Sequence, residues 1–126
     1  MQAKSNVVGW FELYVNDMAR AKAFYQAVFQ HEMSDLPAMG DVHMCAFSWV
    51  EGAAGAAGAL VKSSKMGPGV GGSLVYFSCA DCSVEAQRAA ANGGKLLQAK
   101  MAIGNYGFIA IVQDTEGNVI GLHSLS

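Results

Sequence analysis

Hydrophobic and polar positions follow two different periods along the first half of the chain. Val7 to Val15 mixes β-branched and aromatic residues with single polar ones, which predicts a strand with two unlike faces. Asn16 and Asp17 then offer helix caps, and apolar residues recur at helical spacing from about residue 18 to residue 30. The predicted apolar face of this helix consists of Met18, Ala21, Tyr25, Val28 and Phe29. Three short apolar runs follow, near residues 32–36, 43–50 and 58–62, and predict three strands.

The second half of the chain repeats this order after a glycine-rich linker at about residues 63–72. Residues 73–79 predict a strand, residues 84–91 an alanine-rich helix, and three further apolar runs predict the last strands. Those runs lie at 95–101, 106–113 and 118–125. The candidate caps Asp17 and Asp81 lie 64 residues apart, and a fixed offset is the mark of a duplicated unit. We therefore predict one α+β domain over residues 1–126, with βαβββ modules at about 6–62 and 73–126.

Composition narrows the class of partner. The chain is 52% hydrophobic and 14% charged, which excludes a disordered protein and leaves apolar surface for a pocket or a subunit interface. Its net charge is −2, and its basic residues are scattered, which argues against nucleic acid. No apolar run is long enough to predict a membrane span. Three cysteines are too few for a disulfide framework, so we expect a reducing compartment, the cytoplasm.

Two motifs resemble a known family. The run from Asn16 to Phe29 is similar to the aspartate, helix and Phe-Tyr signature of the vicinal oxygen chelate superfamily, which includes glyoxalase I, bleomycin-resistance proteins and extradiol dioxygenases. The turn from Gln113 to Asn118 resembles the Asp-Pro-Glu-Gly-Asn turn before that family's last strand. The resemblance implies two modules that curl mixed sheets around a cleft. It also implies a small-molecule ligand and pairing as a homodimer.

The resemblance further implies four strand positions that hold a divalent metal in many members of the family. Counting from the two motifs places Trp10, Gly58, Leu74 and Gly121 at these positions. None of these side chains can ligate a metal, because metal catalysis of this kind needs imidazole or oxygen donors. We therefore expect no cofactor at the usual site, while a displaced divalent metal stays an alternative.

Two titratable residues are candidates for catalysis. Period-two alternation puts Glu12 on one face of its strand with Trp10 and Tyr14, and puts His123 on one face of the last strand with Gly121. If these faces converge, the carboxylate could raise the pKa of the imidazole and supply a general base. The alternative is that the two residues only satisfy each other or nearby backbone groups.

Aromatic and small residues predict the walls of a ligand cavity. The candidate ligand-binding residues are Trp10, Tyr14, Trp49, Leu74, Tyr76, Tyr106, Phe108 and Gly121. Gly58 and Gly121 are expected to leave room where family ligands would stand. Cys79 and Cys82 have the spacing of a redox dithiol, although a buried strand end is the simpler interpretation of Cys79.

Three functions remain open on these residues. The first is a metal-free protein that binds or sequesters a small molecule, in the manner of bleomycin-resistance proteins. The second is a glyoxalase-like lyase or related enzyme, which would use a displaced metal or acid and base chemistry by Glu12 and His123. The third is a dimerisation module without catalysis.

Overall fold

The computed structural model describes residues 6–126. It divides into two compact units, one of Trp10–Ser73 and one built mainly of Leu74–Ser126. The start of the first strand, up to Gly9, belongs with the second unit. There the backbone N–H of Ser78 donates to the carbonyl oxygen of Val7 at 2.8 Å.

The first module has the predicted βαβββ order. Strand β1 is Val8–Tyr14, helix α1 is Met18–Phe29, and strands β2, β3 and β4 are Met33–Asp35, His43–Phe47 and Ala57–Lys62. The strands lie in the order β2-β3-β4-β1, with β1 parallel to β4 and the other neighbours antiparallel. Helix α1 begins where the side chain of Asp17 accepts a hydrogen bond from the N–H of Arg20.

The second module repeats the arrangement. Strand β5 is Ser73–Ser78, helix α2 is Cys82–Ala91, and strands β6, β7 and β8 are Lys95–Ala102, Phe108–Gln113 and Val119–Ser124. A short 3-10 turn, Gly104–Tyr106, precedes β7. The strand order is β5-β8-β7-β6, with β5 parallel to β8. Asp81 caps α2 as Asp17 caps α1. The order of elements is the same in both halves, so the predicted α+β fold of two βαβββ modules is confirmed.

Each helix buries one face on the strands of its own module. Under α1, Met18 packs with Met33, Cys45 and Leu60, and under α2 the core consists of Cys82, Ala86, Ala110, Val112 and Leu122. Burying such side chains removes apolar area from water, which is the main favourable term in folding.

One part of the predicted helical face is wrong. Met18, Ala21 and Tyr25 pack on the core, but Val28 is 53% exposed and Phe29 is 60% exposed. The core cluster contacts the earlier turns of α1, and the last turn lies beyond it. Helical spacing identifies which side chains share a face, but it does not show how far along the helix the sheet reaches.

Candidate functional site

The face of β1 that carries Trp10, Glu12 and Tyr14 forms a hydrogen-bonded cluster. Trp10 Nε1 donates to Glu12 Oε2 at 3.2 Å, and the Tyr14 hydroxyl donates to Glu12 Oε1 at 3.1 Å. The three side chains share one face, as the period-two pattern predicts. Both carboxylate oxygens of Glu12 are therefore held in a fixed orientation by neutral donors from its own strand.

The environment of this cluster changes the protonation of its members. Burial raises the pKa of the Glu12 carboxyl, and the hydrogen bonds from Trp10 and Tyr14 only partly oppose this effect. Burial also raises the pKa of the Tyr14 hydroxyl, and the negative charge of Glu12 adds to the rise. Tyr14 is 7% exposed and stays a neutral donor. Glu12 is therefore the ionisable group of this face whose charged form is disfavoured by burial.

Strand register shows which other residues share the Glu12 face of the first module. Glu12 pairs with Ala59, Ala59 with Ala46, and Ala46 with Ser34, and residues paired in register point to the same side of a sheet. Val61 and Met44 form the next row beside Tyr14. Apart from Glu12, this face carries small, apolar, aromatic and hydroxyl side chains.

The register corrects the prediction for Gly58, which is wrong. Gly58 pairs with Phe11, and a Cβ at Gly58 would lie 2.5–2.6 Å from atoms of the Phe11 ring. Phe11 points to the α1 side of the sheet, so Gly58 lies there too. Ala59 takes the place on the Glu12 face. A shift of one residue moves a strand position to the opposite face, and the predicted equivalence of Gly58 with Gly121 is one residue too early.

The second module shows a related arrangement on β5 and β8. Tyr76 pairs with Gly121 and Ser78 pairs with His123, so the predicted face-sharing of these residues is correct. However, a Cβ added to Gly121 would collide with the Tyr76 ring. The expectation that Gly58 and Gly121 leave open room is therefore wrong, because an aromatic ring from the neighbouring strand lies over each glycine.

His123 has a partner of its own. Its Nε2 lies 2.5 Å from the carbonyl oxygen of Tyr106, and since a carbonyl oxygen only accepts, this nitrogen donates the hydrogen bond. Glu12 lies in one unit and His123 in the other. Joint acid and base chemistry by the two residues stays a prediction.

The remaining predicted ligand-binding residues lie in different environments. Leu74 is buried, and Tyr106 is 59% exposed at the end of the 3-10 turn. Phe108 packs on the core beneath α2, with Lys100 Nζ 4.6 Å from the centre of its ring. Trp49 follows β3 and is 62% exposed. The sequence pattern did not separate these positions, because an aromatic residue beside a strand suits either face.

Trp49 borders a cavity on the α1 side of the first module. This cavity of about 520 Å³ is lined mainly by aromatic and small residues, with Ser48 Oγ hydrogen bonded to His31 Nδ1 at 2.9 Å as its polar part. Phe11 and Phe29 contribute to its walls. Neither Trp10 nor Glu12 lines it, so the aromatic residues predicted for one cavity lie on two sides of the sheet. A cavity of about 370 Å³ lies in the second unit and is lined in part by Phe77 and Glu85.

The residues present do not fit the metal site that the resemblance implies. With the corrected register, the four positions are Trp10 and Ala59 in the first module and Leu74 and Gly121 in the second. None of these side chains has an atom that can ligate a metal ion. Within residues 6–126, no three histidine, cysteine, aspartate or glutamate side chains are grouped closely enough to hold a metal ion.

The cysteine pair also lacks the features of a redox site. Cys79 and Cys82 are free, and burial raises the pKa of the Cys79 thiol to about 12, with Glu85 adding to the rise. A reactive thiol needs a lowered pKa to form a thiolate.

Neither helix of residues 6–126 is long and apolar enough to cross a membrane.

A comparison with protein families shows which family this chain belongs to. The family model of the Glyoxalase/Bleomycin resistance protein/Dioxygenase superfamily matches residues 7–122. The chain belongs to this superfamily. The predicted resemblance is thereby confirmed over nearly the whole sequence. No curated protein matches the chain.

Several solved structures share the fold of this chain. Methylmalonyl-CoA epimerase from Mycobacterium tuberculosis is 16% identical with a TM-score of 0.71, over 100% of this chain and 93% of that one. A variant of the Streptomyces coelicolor methylmalonyl-CoA epimerase in complex with 2-nitronate-propionyl-CoA is 17% identical with a TM-score of 0.69, over 94% and 96%. A hypothetical protein from Bacillus halodurans is 15% identical with a TM-score of 0.70, over 96% and 95%. At these identities the likeness extends to the fold alone.

Proposed function

We propose that this chain binds a small organic molecule on the face of β1 formed by Trp10, Glu12 and Tyr14, without a metal ion at the superfamily's usual positions. The observation that supports this most directly is the Glu12 carboxylate, held by two neutral donors on a face that is otherwise uncharged. An ionised group in such a place costs stability, and proteins retain such groups mainly where they act on a ligand.

The side chains of this cluster make different contributions to ligand binding. Each carboxylate oxygen of Glu12 accepts one hydrogen bond and has further lone-pair capacity for a donor on the ligand. The rings of Trp10 and Tyr14 supply flat apolar area at small cost in side-chain entropy. Their hydrogen bonds fix the carboxylate before the ligand arrives, which reduces the ordering cost of binding.

A thermal-shift screen with a library of small aromatic and heteroaromatic molecules tests this function. We expect ligands that raise the melting temperature of the wild-type chain and lose most of that effect in Trp10→Ala. Trp49→Ala is the matched control, since Trp49 borders the cavity on the opposite side of the sheet. Ligands that depend on Trp49 and ignore Trp10 would overturn the proposed site.

The metal-free part of the proposal has its own test. Elemental analysis of protein purified without added metal should show no stoichiometric divalent metal, and treatment with EDTA should leave ligand affinity unchanged. A ligand that binds only after a divalent metal is restored would contradict this part of the proposal.

The raised pKa of Glu12 favours a second candidate function, proton transfer on a carbonyl compound. Glu12 would accept the proton, and a role for His123 beside it remains the sequence-based prediction. Methylmalonyl-CoA is the first substrate to try, because several of the solved neighbours are methylmalonyl-CoA epimerases. If this second function is correct, wild-type protein exchanges the α-proton of methylmalonyl-CoA in D₂O and Glu12→Gln does not. Equal exchange by both proteins would assign the proton transfer to another group.

We further propose that the chain pairs as a homodimer in the cytoplasm. Exposed Phe24, Val28 and Phe29 on α1 support an interface, and the free cysteines support a reducing compartment. Light scattering at micromolar concentration should give twice the mass of one chain. A monomer mass at all concentrations would rule out the dimer.

A further inference from the structure

The charge on the Glu12 face has no counterion among the described residues of its own module. The cationic side chains of this unit lie elsewhere: Arg20 and Lys22 are on α1, and Lys62 alternates with Val61 onto the α1 side of β4. Lys65 follows β4 and interacts with Asp41. The salt bridges found within residues 6–126 join His43 to Asp35 and Lys100 to Asp81, and Glu12 belongs to neither.

Neutral donors only partly replace a counterion. Trp10 and Tyr14 each give Glu12 one hydrogen bond, but neither carries a positive charge. Around them the register places Ala59, Ala46 and Val61, whose side chains have no polar atoms. In such surroundings the Coulomb interaction between two charges is stronger than in water. A cation beside Glu12 is therefore favoured, and a second anion is disfavoured.

The hydrogen bonds of the aromatic neighbours leave the carboxylate able to bind a further donor. The Trp10 indole N–H and the Tyr14 hydroxyl each point at one carboxylate oxygen, and each oxygen keeps lone-pair capacity for another hydrogen bond. A cationic nitrogen group supplies both the N–H donor and the missing positive charge, and such charge-assisted hydrogen bonds are stronger than neutral ones.

We propose that the ligand of this site carries a cationic nitrogen group, such as an amidinium, a guanidinium or a protonated amine, on a flat apolar body, and that Glu12 forms the ion pair with it. This inference rests on the proposed binding function and adds the chemical class of the ligand. It also distinguishes the chain from the solved neighbours that bind CoA compounds, since phosphates and carboxylates would find no cation on the described part of this face.

A charge series on one molecular shape tests the inference. The probes are benzamidine, benzamide and benzoate, which are cationic, neutral and anionic at neutral pH, together with their naphthalene homologues. Titrations of ¹⁵N-labelled wild-type protein by NMR should show the cation of each trio binding at least about tenfold more tightly than the neutral amide. The carboxylate should bind most weakly of the three.

Glu12→Gln assigns this preference to the carboxylate. In this variant the affinity for the amidine should fall much more than the affinity for the amide, so that the two probes bind about equally. Glu51→Gln removes an exposed carboxylate of the same module and serves as the matched control. The ranking of the probes on wild-type protein keeps the test valid if Glu12→Gln folds poorly.

The outcomes separate this inference from the proposed function. If the amide or the carboxylate of each trio binds as tightly as the cation, or if Glu12→Gln keeps the preference, the cationic ligand class is wrong. Uncharged or anionic ligands from the screen that depend on Trp10 would also overturn it, while the proposed binding site would stand. If neither the charge series nor the screen yields a Trp10-dependent ligand, both are wrong.

Discussion

Gly58→Ala tests the strand register on which the site is built. Gly58 pairs with Phe11, and an added Cβ would lie 2.5–2.6 Å from three atoms of its ring, closer than real Cβ atoms approach. Phe11 packs on Phe47 with ring centres 5.8 Å apart and borders the cavity beside α1, so its ring has to shift away from the added methyl group. The methyl group is therefore an overpacking substitution.

The expected size of the effect follows from overpacking in protein cores. Extra methyl groups in well-packed sites cost about 1–3 kcal/mol. For a chain of this length the melting temperature falls by about 4 °C for each kcal/mol, so Gly58→Ala should melt about 4–12 °C below wild type. Circular dichroism during heating measures the shift, and urea denaturation measures the free energy of unfolding.

Gly67→Ala is the matched control. No atom lies within 4 Å of a Cβ built at Gly67, and its backbone is not in the left-handed region. This substitution should leave stability unchanged or raise it by about 0.4–1 kcal/mol, because alanine restricts the unfolded chain. In a Phe11→Leu background the cost of Gly58→Ala should shrink, since the ring that it meets is gone. If Gly58→Ala is as well tolerated as Gly67→Ala, Gly58 does not lie under Phe11 and the register is wrong.

Three further substitutions test the packing and the electrostatics. Glu12→Gln should raise the free energy of unfolding at neutral pH, because the raised pKa of Glu12 means that folding disfavours its charged form. In urea denaturation below pH 4.5, the ordinary pKa of a glutamate, the gain in stability should vanish. A gain that persists at that pH would contradict this reasoning. Hydrogen bonds from Ser83 and then Lys100 lower the pKa of Asp81 to about 2, so its charge stabilises the fold above pH 3.8 and does so less as the pH falls toward 2. Asp81→Asn keeps the helix cap but should lose this pH dependence of stability. If the stability of both proteins falls equally with pH during acid titration, this prediction is wrong. Leu60→Ala should lower the free energy of unfolding in urea by about 2–5 kcal/mol, because Leu60 is fully buried. Leu125 is 78% exposed, so Leu125→Ala should change it by no more than about 0.5 kcal/mol. Similar costs for both substitutions would place Leu60 outside the core.

The order of elements and the faces of β1 could be predicted from the sequence alone. The caps Asp17 and Asp81 repeat at a fixed offset, and the glycine-rich segment between the modules separates them, so both βαβββ units were visible. The shared face of Trp10, Glu12 and Tyr14 also followed from period two, because β1 has no bulge in its pairing with β4.

The strand partners of Glu12 could not be predicted in the same way. Register depends on where β4 begins after the loop, and the glycines at 58 and 121 suggested an alignment that is one residue out. Ala59, Ala46 and Ser34 were therefore missed, since alanine and serine carry no signal of a site. The corresponding buried leucines, Leu60 and Leu122, would have aligned the strands correctly because both face their helices.

Aromatic residues outside β1 were the least predictable part of the site. Trp49, Tyr106 and Phe108 follow or begin strands, where a change of one residue decides between the two sides of a sheet. Phe108 is held on the α2 side by its place opposite Ser124 and beneath Lys100. Neither contact is local in sequence.

The two indole N–H signals of the protein offer the most direct test of ligand binding at the Glu12 face. Trp10 Nε1 is hydrogen bonded to Glu12, while Trp49 lies on the opposite side of the sheet. In ¹⁵N-resolved spectra, a ligand found by the screen should move the Trp10 indole signal to saturation and leave the Trp49 signal in place. The single substitutions of each tryptophan assign the two signals. If ligands move only the Trp49 signal, or neither signal, the β1 face is not the binding site.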